Sequence, residues 1–151
     1  MTKNGKVLEV CISDRTGIPK KPVGQGRLLE NYGLEGDAHA GTGRQVSLLC
    51  EESVRKMREQ GIEAGPGDFA ENLLISGLMP EDFTVGLRLR VETGGENALL
   101  EVTQIGKECH AACAIRKRTG DCVMPREGIF ARVLRAGPVR AGSILEVSDA
   151  D

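Results

Sequence analysis

From Val7 to Ile12 the chain reads VLEVCI, apolar and β-branched, and predicts a first strand. A second strand, QVSLLC over residues 45–50, runs straight into EESVRKMREQ at 51–60. There Val54 and Met57 share a face with Leu49 and Cys50 at helical spacing. An acidic start and a basic middle suit the helix dipole, and Gly61 is placed to stop the helix. Gly65-Pro66-Gly67 breaks the chain before DFAENLLISGL, which leads into another strand. GLRLRVE at 86–92 alternates Leu87, Leu89 and Val91 with Arg88, Arg90 and Glu92, the period of a half-buried strand. TGGEN is turn chemistry, and ALLEVTQI at 98–105 follows as its hairpin partner. GIFARVLRAG stays open between helix and strand, because Ile129, Val133 and Leu134 fit neither period cleanly. GSILEV at 142–147 predicts a last strand, entered through Gly137-Pro138. Residues 14–43 contrast with these runs: they are charged, rich in Gly and Pro, and contain the loop YGLEGDAHAGTG. The fold expected is mostly β, a small β-barrel-like single domain over residues 1–151 with a few short helices.

Composition narrows the function classes. Lys and Arg total 20 against 22 for Asp and Glu, so no global positive field draws nucleic acid to the chain. With no Trp, three Phe and one Tyr, a platform for stacking bases is absent too. No apolar run approaches the roughly 20 residues of a membrane span, and the N-terminus carries no secretory pattern. Five cysteines, at 11, 50, 109, 113 and 122, are odd in number. Reduced thiols in the cytoplasm are therefore expected rather than a disulfide scaffold.

The densest reactive stretch is QIGKECHAACAIRKRTGDC, residues 104–122, which follows a predicted strand. Cys109 lies between Glu108 and His110, with Lys107 before it and Arg116, Lys117 and Arg118 after it. Neighbouring cations and imidazolium favour the thiolate, the nucleophilic and metal-binding form of cysteine. The alternative is a small buried hydrophobe at a strand end. Two further readings stay open: a zinc site drawing on Cys109, His110, Cys113 and Cys122, and a Cys109–Cys113 redox pair. In GLEGDAHAGTGRQVSLL, Gly33, Gly36, Gly41 and Gly43 allow backbone N–H groups to converge on an anion beside Arg44. Asp37 and His39 alternate there, which permits metal binding or turn hydrogen bonds. The segment lacks the Lys-Ser/Thr end of a nucleotide P-loop. GPGDFAENLL adds Asp68, Glu71 and Asn72, either a capped turn or groups able to bond a heterocycle and accept a proton. MPREGIF supplies Arg126 and Glu127, a surface pair or part of an anion site. Residues Gly36 to Gln45, Phe69 to Asn72 and Cys109 are expected around one cleft, with Cys109 the principal reactive thiol. Cys11 and Cys50 lie in strand runs where burial keeps a thiol inert.

Taken in order, GLEGDAHAG, GDFAENL, LEVTQIGKECH and GDCVMPREGIFARVL with GPVRAGSILEV resemble the MOSC domain family, from about Val7 to Val147. The name refers to the C-terminal domain of molybdenum-cofactor sulfurases, and the likeness is to the stand-alone bacterial branch associated with molybdopterin biosynthesis. The resemblance implies a β-barrel-like domain whose characteristic Cys, matched by Cys109, carries persulfide sulfur or binds molybdenum. It implies a molybdenum-cofactor (molybdopterin) pocket lined by His39, Arg44, Phe69, Glu71, Asn72, His110 and Arg126. Cys113 and Cys122 match features of the stand-alone branch. The partners implied are a cysteine desulfurase, which is pyridoxal-phosphate dependent, or molybdopterin-biosynthesis proteins. Neither the second β domain of the larger reductase relatives nor the desulfurase domain of the sulfurases has a counterpart here, so any activity is expected to need a partner. Two alternatives stand beside the carrier role. One is a molybdenum-dependent reductase of N-hydroxylated compounds, and the other a zinc-stabilised interaction domain without catalysis.

Overall fold

Residues 3–106 and 123–148 are described by the structure, a computed structural model. Strand β1 (Asn4–Ile12) opens the chain, followed by the short strands β2 (Lys21–Pro22), β3 (Gln25–Leu29) and β4 (Gly33–Leu34). Next come β5 (Val46–Cys50), helix α1 (Glu51–Glu59) and β6 (Leu73–Ser76). β7 (Arg88–Thr93) and β8 (Glu96–Ile105) form the predicted hairpin, turning at Gly94 and Gly95, both at positive φ. A single helical turn, α2 (Met124–Glu127), precedes β9 (Ile129–Arg135), β10 (Gly137–Arg140) and β11 (Ile144–Ser148).

β1, β6, β5, β9, β8, β7 and β11 pair in that order, and β11 returns to β1, closing a barrel. Closure leaves the barrel no free edge. Every pairing in it is antiparallel except β5 with β6, which α1 joins as a crossover. A second sheet, β10-β3-β4, lies beside β7 and β8.

Strand alternation builds two cores. Val46, Leu48 and Cys50 of β5, Leu73 and Ile75 of β6, and Ile129, Ala131 and Val133 of β9 point into the barrel. The residues between them, Leu49, Leu74 and Phe130, point outward into a second cluster with Val54 and Met57 of α1, Phe69, Val123 and Met124. All five residues of β5 are buried because the helix covers the face that would otherwise meet water. The same arrangement resolves GIFARVLRAG as strand: both faces of β9 carry apolar side chains, which hides the period of two. Among the described residues, no helix is long and apolar enough to cross a membrane.

Candidate functional site

The loop YGLEGDAHAGTG folds around a residue that its own sequence does not announce. Lys20 is buried, and its Nζ lies 2.8 Å from Asp37 Oδ1, 3.0 Å from Ser13 Oγ and 3.2 Å from His39 Nδ1. Asp37 Oδ1 also accepts from the Ser13 N–H at 3.1 Å, and Oδ2 accepts from the His39 backbone N–H at 3.0 Å. Burial alone would push the Asp37 carboxyl up, but the hydrogen bond and charge of Lys20 and the His39 backbone N–H hold it well below the usual carboxylate range. Asp37 and Lys20 are both fully buried at the side chain, so this is a desolvated ion pair whose remaining polar atoms are satisfied. The His39 side chain is 23% exposed, and its Nδ1 faces Lys20.

Lys20 also couples this loop to GDFAEN. Its backbone N–H donates to the Gly67 carbonyl at 2.7 Å. Within that second loop the Glu71 carboxylate turns back, accepting from the Gly67 N–H at 2.7 Å and the Phe69 N–H at 3.2 Å. Complete burial pushes the Glu71 carboxyl up to about 7, against these backbone donors, which favour the charged form. Between Phe69 and Glu71, Ala70 sits at φ 66, a left-handed conformation uncommon outside glycine.

Asn72 is buried and tied across strands rather than open to a ligand. Its Oδ1 accepts from Ser47 N–H at 2.9 Å and Ser47 Oγ at 3.2 Å, and its Nδ2 donates to the Cys11 carbonyl at 3.0 Å. Gln45 is likewise structural, bonding the Val133 N–H at 3.0 Å and Asn31 Oδ1 at 3.2 Å. Glu71 and Asn72 therefore hold the loop and the barrel rim together, and of this segment Phe69 faces the second core.

Arg44 lies with its guanidinium carbon 5.5 Å from the centre of the Phe130 ring and has no carboxylate partner among the described residues. Phe130 pairs with Gln104, and Gly106 N–H donates to the Gly128 carbonyl at 2.7 Å, so Arg44 stands near the start of the reactive stretch. Val123, the first residue described after that stretch, shares the second core with Phe69 and Phe130. Arg44 and Phe69 thus come to the two stems of the segment that contains Cys109. Cys109, His110, Cys113 and Cys122 themselves lie outside the described residues, and with them the thiolate, zinc and redox-pair readings. Among the described residues, no group of three His, Cys, Asp or Glu is placed to hold a metal ion.

Arg126 and Glu127 separate in their contacts. Glu127 accepts from Ser53 Oγ at 2.6 Å and Lys56 Nζ at 3.0 Å, anchoring α2 to α1, while Arg126 Nη2 contacts Met57 Sδ at 3.9 Å. Cys11 and Cys50 are buried free thiols. Burial, reinforced by the Glu71 charge, drives the Cys11 thiol strongly upward, and burial with the Glu127 charge pushes Cys50 up to about 12.

Comparison with known proteins places this geometry. No curated protein matches the chain. The YuaD protein of Bacillus subtilis superposes with a TM-score of 0.80 at 19% identity, covering 100% of this chain and 99% of that one. YiiM from Geobacillus stearothermophilus gives 0.71 at 19% identity, over 96% of this chain and 75% of its own. YiiM from Escherichia coli gives 0.66 at 22% identity, over 100% and 71%. These likenesses establish the barrel. The MOSC domain family model matches residues 35–146, a span that takes in the His39–Arg44 loop, GDFAEN, Cys109 and the return through β9 to β11. With the closed barrel, the two coupled loops and that match in hand, the chain belongs to the MOSC domain family, which is associated with molybdenum cofactor binding.

Proposed function

We propose that this chain is a molybdenum-cofactor-binding domain, a sulfur carrier, or both, that uses Cys109. The observation that carries the reading is the position of Arg44: a cation on the Phe130 ring, without a carboxylate partner among the described residues, beside the stem of the Cys109 segment. A guanidinium so placed suits the phosphate of a pterin cofactor, which takes bidentate donors. His39, partly exposed beside the buried ion pair, adds a polar contact on the same loop. This donor chemistry fits the cofactor. Arg44 and His39 would hold its anionic end, Phe69 supports the apolar wall, and Cys109 supplies a soft thiolate ligand for the metal. When bound, the group supplies redox and ligand-exchange chemistry at molybdenum, while the protein binds and orients it.

In the carrier step the Cys109 thiolate attacks the outer sulfur of a donor persulfide. A new S–S bond forms on Cys109, the donor's S–S bond breaks, and the donor leaves as a thiolate, so no external oxidant is needed. A cysteine desulfurase or a molybdopterin-biosynthesis protein is the donor or acceptor class, in a cytoplasmic setting that keeps thiols reduced. Glu71 and Asn72 serve by fixing the loop rather than by touching the ligand.

Protein purified from a molybdenum-replete host tests this by metal and pterin analysis, alongside persulfide loading by a desulfurase. Molybdenum with pterin, or sulfur on Cys109, is expected, and both should be lost in Cys109→Ser with the fold unchanged. Stoichiometric zinc with neither molybdenum nor persulfide would overturn the reading in favour of a structural metal.

A further inference from the structure

We infer that Lys20 is a positioning residue that locks His39 in the tautomer carrying its proton on Nε2, so that the ring edge opposite Lys20 donates to an oxyanion and does not ligate a metal. The inference deepens the cofactor-pocket reading and rests on it for the role of His39.

An ammonium has three protons and no lone pair. Lys20 Nζ has three acceptors within reach: Asp37 Oδ1 at 2.8 Å, Ser13 Oγ at 3.0 Å and His39 Nδ1 at 3.2 Å. Ser13 Oγ gives its own proton to the Arg15 carbonyl at 2.9 Å, which leaves its lone pairs for the lysine. Nδ1 of His39 therefore accepts, and in the uncharged ring the proton resides on Nε2. The competing arrangement would have Nδ1 donate to Asp37. Its nearest oxygen there, Oδ2, is 3.8 Å away, beyond hydrogen-bond reach, and already receives the His39 backbone N–H at 3.0 Å.

A metal-ligating histidine has the opposite wiring. Its outer nitrogen offers a lone pair, and its inner N–H donates to a carboxylate or carbonyl. For His39 to bind a cation through Nε2, the proton would have to move to Nδ1, where it would face an ammonium that cannot accept it. The edge left to the outside is an N–H donor on the same loop as the Arg44 guanidinium. Donors without acceptors select an acceptor-rich anion such as a phosphate group.

Cofactor-free protein labelled with 15N-histidine tests this by long-range 15N–1H correlation at mildly alkaline pH, the two histidines being assigned with His110→Gln. The Nε2–H pattern is expected for His39, with a nuclear Overhauser contact from the Lys20 ammonium protons to the ring proton beside Nδ1. An Nδ1–H pattern, or absence of that contact, overturns the lock. In Lys20→Met the preference should relax towards Nδ1–H; an unchanged tautomer in a folded variant removes Lys20 from the role. If that variant does not fold, the tautomer and the ammonium contact in the unsubstituted protein decide. Added inorganic phosphate should shift the His39 Nε2–H resonance saturably, while zinc(II), which is diamagnetic and moves a ring 15N shift strongly only by direct ligation, should leave the His39 Nε2 pattern in place. A ligation shift of His39 Nε2 with zinc, or no response to phosphate, overturns the oxyanion assignment. Because no molybdenum is present, failure here is separable from failure of the Cys109 reading.

Discussion

Gly67 and Lys20 meet backbone to backbone: the Lys20 N–H donates to the Gly67 carbonyl at 2.7 Å, and a Cβ on Gly67 would overlap the Lys20 carbonyl oxygen. Gly67 also has φ 85, where a side chain is strained. This is the seam that joins the GDFAEN loop to the His39 loop. Gly67→Ala should therefore cost at least about 2 kcal/mol, strain and overlap together. Gly17 has a similar φ of 78 with nothing within 4 Å of its would-be Cβ, and Gly17→Ala should cost about 1 kcal/mol. Urea denaturation of both variants checks this, and equal losses would show that the overlap contributes nothing.

Glu71 gives the seam a pH dependence. Its folded carboxyl is raised from 4.5 to about 7, by burial first and opposed by the Gly67 and Phe69 N–H groups. Between those values the native state keeps a proton that the unfolded chain has released, so stability falls as pH rises from about 4.5 to 7. The span is on the order of 3 kcal/mol at most. Asp37, held low by Lys20 and the His39 backbone N–H, acts in the other direction: its contribution is complete above the ordinary carboxylate range and is lost in stronger acid. A stability maximum in mildly acidic buffer is expected. Glu71→Gln should flatten the slope between pH 4.5 and 7, and an unchanged slope in chemical denaturation would remove Glu71 as its source.

Much of this fold was legible because burial follows the strand period. Leu87, Leu89 and Val91 alternate with charges, and β7 with β8 emerged as the expected hairpin with Gly94-Gly95 at its turn. β9 resisted reading because Phe130 fills the second core while Ile129, Ala131 and Val133 fill the first, so neither face looks polar. The short strands β2, β3 and β4 hide in a charged, Gly-rich stretch where pairing of β2 to β1, of β3 to β10 and of β4 to β3, rather than local propensity, makes them strands. At the site, His39, Arg44 and Phe69 were candidates by residue type and motif. Lys20 was not: nothing in IPKKPV separates a buried, fully bonded lysine from its exposed neighbour Lys21. The polar letters of GDFAEN likewise suggested a ligand-facing set, whereas Glu71 and Asn72 spend their polar atoms on backbone and Ser47.

Thiol reactivity should follow burial. Cys50, at about 12, carries less thiolate near neutrality than an ordinary cysteine by roughly a thousandfold or more, and Cys11 is pushed up further. In native protein, iodoacetamide should leave both unlabelled until the chain unfolds, with Cys109 labelled first among the five. Peptide mass spectrometry resolves the order. Labelling of Cys11 or Cys50 ahead of Cys109 would contradict both the burial argument and the choice of thiol.

Arg44 separates binding from stability. Its contact with Phe130 is a partly exposed cation–π interaction, worth about 0.5–1 kcal/mol, and no ion pair is broken by removing it from among the described residues. Arg44→Met keeps a comparable apolar stem over the ring and should lower stability by less than about 1 kcal/mol. If the guanidinium holds the anionic end of the cofactor, the same change should reduce pterin and molybdenum retention by at least about tenfold, the equivalent of one charge-assisted hydrogen bond. Arg44→Lys should recover only part of that loss, because an ammonium cannot offer the planar fork. Thermal melts and metal analysis on the same preparations give the two readouts side by side. Full retention of molybdenum in Arg44→Met, with the fold intact, would move the anion site away from this loop. A large loss of stability would instead mean that the contact with Phe130 is holding the second core closed.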